Sequence, residues 1–320
     1  MNHEKFEMVL FVLRVHMGGM TTDVIQKPHE ADAVARRGFV LGFSAYFLWG
    51  LLPLYMKWVA HLPLMEVVAH RVVWSLPIAG LVLVWLGRTA DFKAALRSPR
   101  MLGMTALTAS IISFNWSIYI WAIATDRAIE TALGYYINPL VTVMIGALLL
   151  GERLNRVQAT AVGLAAVAVA ILTYENGALP WVSLALAFSF AAYGYFRKTL
   201  PVGPSQGFLL EVMILSVPAG AYIAWLLATG EDHIVHGSWL DTVLLVGCGP
   251  ITAVPLLMFA FGAKALRLST IGLMQYIAPT MLFLIAVFVF NEPFGRAQLA
   301  AFALIWIALA IYTWSTLREK

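Results

Sequence analysis

The chain has 320 residues, of which 61% are hydrophobic and 12% charged, and its mean hydropathy is +0.82. Soluble globular proteins carry about 25% charged residues, so this composition excludes an ordinary soluble protein. The formal net charge of +4 does not indicate a nucleic-acid partner, because the basic residues are scattered over short loops. The apolar residues occur in blocks of about 20, the length that a helix needs to cross a bilayer. The sequence therefore predicts an all-α membrane protein.

Residues 1–36 differ from the rest of the chain. Their apolar stretch, MVLFVLRVHM, is too short to cross a bilayer and is interrupted by Arg14. It is not followed cleanly by the small-residue cleavage site of a signal peptide. We expect residues 1–36 to form a disordered or amphipathic N-terminal extension, or to precede the true start of the protein, for which Met20 is a candidate.

Ten apolar segments follow, separated by loops that carry charges, glycines and prolines. Each segment predicts one transmembrane helix. They lie at about 38–56, 64–86, 101–124, 128–150, 156–174, 179–196, 206–228, 238–263, 269–291 and 295–317.

The distribution of Lys and Arg predicts the orientation of these helices. Cytoplasmic loops of membrane proteins are enriched in both residues. With the N-terminus inside, the outer loops contain only Lys57, Arg127 and Arg296. We therefore expect both termini to lie in the cytoplasm. The basic residues then assigned to the inner side are Arg36, Arg37, Arg88, Lys93, Arg97, Arg100, Arg153, Arg156, Arg197, Lys198, Lys264, Arg267, Arg318 and Lys320.

The chain contains an internal repeat. Residues 127–161 align without a gap with residues 267–301, and the identical positions include Tyr136 with Tyr276 and Pro139 with Pro279. Matches of Tyr and Pro in register are not what two unrelated apolar helices would supply. We predict two five-helix repeats, at 37–175 and 176–320. Five is an odd number, so the second repeat would be inverted in the membrane, as in many secondary transporters.

Three prolines lie inside predicted helices. Pro139 and Pro279 occupy equivalent places in the fourth and ninth segments, and Pro255 lies in the eighth. A proline frees a backbone carbonyl one turn earlier, so we expect each to kink its helix beside a central cavity. The alternative is that these prolines serve packing alone.

Several longer phrases resemble one known family. These are AYFLWGLLPLYMKW, AHRVVWSLP, NWSIYIWAI, ETALGYYINPLVTVMIGALLLGERL, TAVPLLMFAFGAKALRLSTIGLMQYIAPT and FNEPF. By these residues the chain resembles the EamA family of the drug/metabolite transporter superfamily, and within it the RarD-like subgroup. The resemblance covers residues 37–317 and implies ten helices in two EamA units, an inner-membrane location in bacteria, and transport. It identifies no solute.

Ionisable residues inside a membrane helix are costly and are by default functional candidates. The second segment contains Glu66, His70 and Arg71, and Glu211 in the seventh corresponds to Glu66. We expect Arg71 to contact the solute. Glu66, His70 and Glu211 are candidates for gating or proton coupling. The alternative for Glu66 is a structural ion pair with Arg71 or His70.

Polar and aromatic residues at depth predict a cavity lining. Asn115 and Tyr119 share one helix face, since they are four residues apart. An unsatisfied amide at that depth would cost a few kcal/mol, so Asn115 needs a partner or a ligand. The residues expected to line the solute site, besides Arg71, are Asn115, Trp116, Tyr119, Tyr136, Asn138, Gln275 and Tyr276.

Three further patterns predict local features. Glu152 and Glu292 follow the fourth and ninth segments and are expected to cap neighbouring helices, with a role in gating as the alternative. GFVLG, at residues 38–42, is a GxxxG motif typical of close helix packing. His233 and His236 have a spacing that could bind a metal, but they lie in a polar external loop, so we expect no metal.

The function that these patterns favour is secondary transport of a small metabolite or drug-like solute by alternating access. The family resemblance favours export. The sequence contains no nucleotide-binding or hydrolase motif, so we expect neither an enzyme nor a cofactor. An uncoupled facilitator of the same architecture is the main alternative, and a membrane-embedded enzyme or sensor is a distant one. The expected partners are the solute, the bilayer, possible coupling protons and a possible second copy of the chain.

Overall fold

The apolar segments fold into helices, as predicted. The computed structural model describes residues 28–87, 89–150, 154–266 and 268–318, and within these ranges it contains α-helices and no strand. The helices are α1 (Pro28–Trp58), α2 (Leu64–Trp85), α3 (Thr89–Leu96), α4 (Pro99–Ala124), α5 (Ala128–Leu150), α6 (Arg156–Asn176), α7 (Trp181–Thr199), α8 (Pro204–Thr229), α9 (Trp239–Ala265), α10 (Leu268–Met274), α11 (Ile277–Phe288) and α12 (Arg296–Arg318). Residues 1–27 of the predicted extension lie outside the described residues.

Within the described part of the chain, nine helical stretches are long and apolar enough to cross a membrane. This confirms an all-α membrane protein. The sixth predicted span corresponds to α7, which falls outside this set because Arg197 and Lys198 at its end and several Ser and Tyr residues lower its hydropathy. The count of ten therefore remains a prediction. The short helix α3 lies in a predicted loop.

The ninth predicted span is interrupted. Helix α10 ends at Met274 and α11 begins at Ile277, so Gln275 and Tyr276 form a break. Pro279 is the third residue of α11, where a missing N–H costs no helical hydrogen bond. Its counterpart Pro139, in contrast, lies inside the uninterrupted helix α5, and Pro255 lies inside α9.

The helices pair in a pattern that repeats every five spans. Spans one to five are α1, α2, α4, α5 and α6, and spans six to ten are α7, α8, α9, α10–α11 and α12. The packing of α1 on α9 has its counterpart in α4 on α7, and that of α2 on α9 in α4 on α8. Three pairs are their own counterparts, namely α2 with α8, α6 with α12, and α5 with α11. Two five-helix repeats related by a two-fold axis would produce this pattern. The repeat boundaries stay a prediction.

The close packing predicted for residues 38–42 is confirmed. Gly38 and Gly42 on α1 face Gly262 on α9, and a Cβ atom placed on Gly262 would lie 2.7 Å from the backbone nitrogen of Gly42. Two helix backbones can approach this closely only where side chains are absent. The pair α1 and α9 is one of the most extensively packed in the bundle.

Candidate functional site

Arg71 lies in the interior of the bundle. Its side chain projects from α2, the residue is 4% exposed, and its Cζ atom lies 4.5 Å from the ring centroid of Trp116 on α4. Its Nε and Nη1 atoms are buried without a hydrogen-bond partner, and Arg71 takes part in none of the ion pairs between described residues. A buried charge without a counter-charge is expensive, so it is retained for a reason other than stability.

Four helices meet around this guanidinium. Tyr119 on α4, Tyr135 on α5 and Cys248 on α9 lie close enough to Arg71 to interact with it electrostatically. The rings of Tyr119 and Tyr135 are 6.0 Å apart. We call Arg71, Trp116, Tyr119, Tyr135 and Cys248 the central cluster. Its members come from both predicted repeats.

Four further buried polar atoms among the described residues of these helices have no hydrogen-bond partner, namely His70 Nε2, Thr105 Oγ1, Glu130 Oε2 and Asn138 Oδ1. The indole N–H of Trp74 donates to Nδ1 of His70 over 3.1 Å, so a neutral His70 carries its proton on Nε2, which is buried and unsatisfied. Oδ1 of Asn138 on α5 is also buried and unsatisfied. Buried polar atoms without partners are rare, and a ligand is one standard explanation for them.

Asn115, predicted to contact the solute, has protein partners. Its Nδ2 donates to the carbonyl of Leu186 over 3.1 Å and to Oγ of Ser189 over 2.9 Å, both on α7. Its Oδ1 accepts a hydrogen bond from the hydroxyl of Tyr135 over 3.4 Å. Asn115 therefore joins α4 to α7 and orients Tyr135 in the central cluster. A direct contact with the solute stays a prediction.

Two predicted lining residues point toward a different group of helices. The hydroxyl of Tyr136 lies 2.6 Å from Oγ1 of Thr280 on α11, and its ring packs against Trp306 on α12. The hydroxyl of Tyr276 lies 3.2 Å from Oγ1 of Thr313 on α12. Gln275 precedes Tyr276 in the break between α10 and α11 and is partly buried.

Tyr135 is the site residue that the sequence reasoning missed. The repeat pairs Tyr136 with Tyr276 and so favours Tyr136, whereas Tyr135 is the one of the two that interacts with Arg71. The signal that could have found it is helical spacing, since Tyr135 and Asn138 are three residues apart and share a face. Successive residues such as Tyr135 and Tyr136 point in directions about 100° apart.

Glu66 ties α2 to the loop between α8 and α9. It is fully buried, and its carboxylate accepts hydrogen bonds from the backbone N–H of His233 and from the ring Nδ1 of His233, both over 2.7 Å. The alternative partners considered from the sequence were Arg71 and His70, one turn away on the same helix. The observed partner comes from the other half of the chain.

Two more carboxylate–histidine pairs surround this contact. Asp232 pairs with His236 inside the loop, and Asp241 at the start of α9 pairs with His61, after α1, over 2.8 Å. Burial raises the pKa of Asp232, but the hydrogen bonds from His236 and from the N–H of Val235 lower it further, so the net pKa lies below the usual range. We call the three pairs Glu66–His233, Asp232–His236 and Asp241–His61 the loop network.

Glu211 holds a second network. Its carboxylate accepts hydrogen bonds from Thr108 over 2.8 Å and from Tyr193 over 3.2 Å, and it lies 3.5 Å from Nε of Arg197. Glu211 lies 18 residues before the end of α8, and the loop that follows α8 contacts Glu66. At 1.5 Å per residue this separates the two networks by about 27 Å along the helix. They therefore lie toward opposite ends of the bundle.

Glu292 caps helix α5, which confirms the expectation for this residue, while Glu152 lies outside the described residues. Its Oε1 accepts from the N–H of Ala128 over 2.6 Å, and its Oε2 accepts from the N–H of Ile129 over 2.8 Å. A carboxylate at a helix N-terminus satisfies free N–H groups and opposes the positive end of the helix dipole. Glu292 is thus a structural link between the ninth span and α5.

Comparison with known proteins extends these observations. The model of the EamA-like transporter family matches residues 36–174. Protein RarD of Streptomyces exfoliatus is 44% identical over 289 residues, which are 90% of this chain and 92% of that protein. Protein RarD of Escherichia coli K12 is 39% identical over 277 residues, covering 87% and 94%, respectively. The uncharacterized transporter YojE of Bacillus subtilis 168 is 40% identical over 296 residues, covering 90% and 97%.

A solved crystal structure shares the fold. It has a TM-score of 0.51 and 19% sequence identity, and the match covers 88% of this chain and 98% of the other. Identity this low supports the fold alone, whereas the identities to the RarD proteins extend over almost the whole described chain. The chain therefore belongs to the EamA-like transporter family as a multi-pass membrane protein similar to the RarD proteins.

Proposed function

We propose that this protein is a secondary transporter that carries a small metabolite or drug-like solute through the bundle by alternating access. The observation that carries the proposal is Arg71, a buried guanidinium with two unsatisfied nitrogens and no carboxylate partner among the described residues. A buried guanidinium with unsatisfied nitrogens is explained if a bound solute accepts its hydrogen bonds and balances its charge. The unsatisfied Nε2 of His70 and Oδ1 of Asn138 offer a donor and an acceptor to the same solute.

The two end networks act as gates in this proposal. The loop network, centred on Glu66 and His233, closes one end, and the contacts of Glu211 with Arg197 close the other. Each gate joins the two halves of the chain, through Glu66 and His233 at one end and through Thr108 and Glu211 at the other. A rocking motion of one half against the other would therefore break these contacts. Opening one gate while the other stays closed would expose the central cluster to one side at a time.

The orientation and direction of transport complete the proposal. The excess of Lys and Arg in alternate loops supports cytoplasmic termini, so the loop network lies at the outer face of the bacterial inner membrane. The matching pairs of helices support two inverted repeats, at 37–175 and 176–320. Export is the direction that the family resemblance favours. Protons are the coupling ion, taken up by the carboxylates of the gates.

Alternating access can be tested before the solute is known. The single cysteine, Cys248, is replaced by Ala, and Asn138→Cys is introduced beside the proposed cavity. Val217→Cys on α8 is the matched control, because Val217 is 75% exposed on the bundle surface and faces lipid in this account. Each variant is treated with a small charged thiol reagent in right-side-out and inside-out vesicles.

The proposal predicts that Asn138→Cys reacts from both sides and that Val217→Cys reacts from neither. Reaction of Asn138→Cys from one side only would describe a pocket rather than a transport path. No reaction from either side would refute a water-accessible cavity at this depth.

An uncoupled facilitator is the second candidate. Glu66 and Glu211 each already have protein partners, and a purely structural role for both would leave no proton-coupling group. The two candidates differ in proteoliposomes, where an imposed pH gradient drives accumulation by a coupled transporter and leaves a facilitator at equilibrium.

A further inference from the structure

We propose that the solute bound at Arg71 is a monocarboxylate with an apolar body. This inference rests on the proposed function and names the chemical class of the solute. Among the described residues, the groups that interact with Arg71 are the ring of Trp116, the phenols of Tyr119 and Tyr135, and the thiol of Cys248. None of these groups carries a negative charge at neutral pH. The positive charge of the site is therefore left for the solute to balance.

The nearest acidic residue along α2 does not balance it. Glu66 lies five positions before Arg71, and its two oxygens accept hydrogen bonds from the backbone and the ring of His233. Glu211 is engaged by Thr108, Tyr193 and Arg197. Both buried carboxylates of the proposed gates are thus committed to other partners.

Charge balance selects a single negative charge. One guanidinium neutralises one carboxylate, and Arg offers carboxylates charge-assisted hydrogen bonds. A phosphate monoester carries about −1.5 to −2 charges at pH 7, so it would leave uncompensated charge in a site removed from water. A neutral solute would leave the guanidinium unpaired. A monocarboxylate balances the single positive charge of Arg71 and leaves no uncompensated charge in the site.

The surroundings of the guanidinium select an apolar body for the solute. Trp116 covers one face of the guanidinium, and the rings of Tyr119 and Tyr135 are inclined at 58° to each other beside it. Tyr119 is 4% exposed, and Tyr135 donates its hydroxyl to Asn115. The hydroxyl of Tyr135 is therefore occupied, and its ring, which also packs edge-on against Phe190, adds apolar surface to the cluster. Such surfaces bury hydrocarbon or an aromatic ring next to the charged group.

The test compares acids with their neutral amides. The melting temperature of the purified full-length protein in detergent at pH 7.5 is measured with phenylacetate and phenylacetamide, and with indole-3-acetate and indole-3-acetamide. Phenyl phosphate is the dianionic probe. The proposal predicts that at least one acid raises the melting temperature in a saturable way and binds at least about ten-fold more tightly than its amide and than phenyl phosphate.

Two variants assign the preference to Arg71. Arg71→Gln removes the charge with little change in length, and we expect it to abolish the preference for the acid. Arg71→Lys keeps the charge and is expected to retain part of it. Absence of an acid preference in both pairs would overturn the inference. So would a preference that persists in Arg71→Gln, provided that this variant elutes as a folded protein in size-exclusion chromatography.

The outcome separates this inference from the proposed function. If Asn138→Cys reacts from both sides of the membrane but no acid is preferred, the protein is a transporter of a different class of solute. If that cysteine is closed from one or both sides, the transport proposal fails whatever the acids do.

Discussion

Arg71 on α2 and Trp116 on α4 stack with 4.5 Å between the guanidinium carbon and the centroid of the indole ring. Arg127 makes longer contacts of this kind, 5.3 Å to the ring centroids of Trp121 and Trp181, and it also pairs with Glu130. Arg71, in contrast, contacts an aromatic ring but pairs with no carboxylate of the described residues. A cation–π contact offsets only about 2 kcal/mol of the cost of burying a charge.

The resting stability of the protein provides the first prediction. Because Arg71 is buried without a counter-charge, Arg71→Met is expected to keep or raise the melting temperature of the solute-free protein. Arg197→Met is the matched comparison, since it leaves the buried carboxylate of Glu211 uncompensated and should cost about 3 kcal/mol. Thermal unfolding in detergent measures both. A large destabilisation by Arg71→Met would mean that Arg71 is a structural residue.

The second prediction concerns the link between Glu66 and the α8–α9 loop. Glu66→Gln keeps one oxygen acceptor for the N–H of His233 but loses the charge, and its amide N–H can pair with the ring only where Nδ1 of His233 is the acceptor. We expect hydrogen exchange of the amides of residues 230–238 to accelerate by at least about ten-fold, since a charged hydrogen bond contributes about 1.5–3 kcal/mol. His233→Ala keeps the backbone bond and should show a smaller effect. Unchanged exchange in Glu66→Gln would exclude Glu66 as the latch of this loop.

The third prediction is a pH dependence of the same loop. Asp232 has a pKa below its usual range, so its stabilising contribution is full above the unfolded-state pKa and is lost as the pH falls through the folded-state pKa. The groups that face it are His236, the N–H of Val235 and the more distant His70. We expect the loop to stay ordered at pH 5 and to loosen below about pH 4.

A spin label reports this transition. Val235 is exposed, so Val235→Cys in a protein without Cys248 carries the label. Label mobility should rise on acidification below about pH 4 in this protein, and Asp232→Asn should make the label mobile already at pH 7. A loop that loosens on alkalinisation would contradict the sign of the argument.

The fourth prediction tests the contact between α1 and α9. A methyl group on Gly262 would lie 2.7 Å from the backbone nitrogen of Gly42 and 2.9 Å from the carbonyl of Gly38, so Gly262→Ala should destabilise the protein by about 1–3 kcal/mol. Gly220 on α8 has no neighbour within 4 Å, so Gly220→Ala should be neutral or stabilising by up to about 1 kcal/mol. Equal effects of the two substitutions would show that α1 and α9 can separate at no cost.

Local patterns in the sequence predicted which residues are suited to a role, without naming their partners. The apolar segments predicted the helices, the spacing of Gly38 and Gly42 predicted a close helix contact, and the place of Glu292 predicted a helix cap. The partners, Gly262 and the start of α5, lie far away along the chain and came only from the structure. The kink expected at Pro279 coincides with a break between α10 and α11, where Gln275 and Tyr276 form a turn whose N–H groups donate to the carbonyls of Ile271 and Leu273.

Contacts between distant segments could not be predicted in the same way. Glu66 and His233 are 167 residues apart, and nothing at either position names the other as its partner. Their meeting depends on which ends of α2 and α8 lie together, which is a property of the whole bundle. The repeat also gives no indication of Tyr135, which interacts with Arg71, and the reason is related. A repeat marks residues that both halves share, while the central cluster is built from residues such as Arg71 and Trp116 that occur in one half.

Transport by purified protein in liposomes tests the central claim most directly. The protein is reconstituted as wild type, Arg71→Gln and Arg71→Lys, and the uptake of radiolabelled indole-3-acetate and indole-3-acetamide is measured with and without a pH gradient. The account predicts saturable uptake of the acid that exceeds uptake of the amide in the wild type, falls at least about ten-fold in Arg71→Gln and is partly retained in Arg71→Lys. Equal uptake by wild type and Arg71→Gln would contradict a solute site at Arg71.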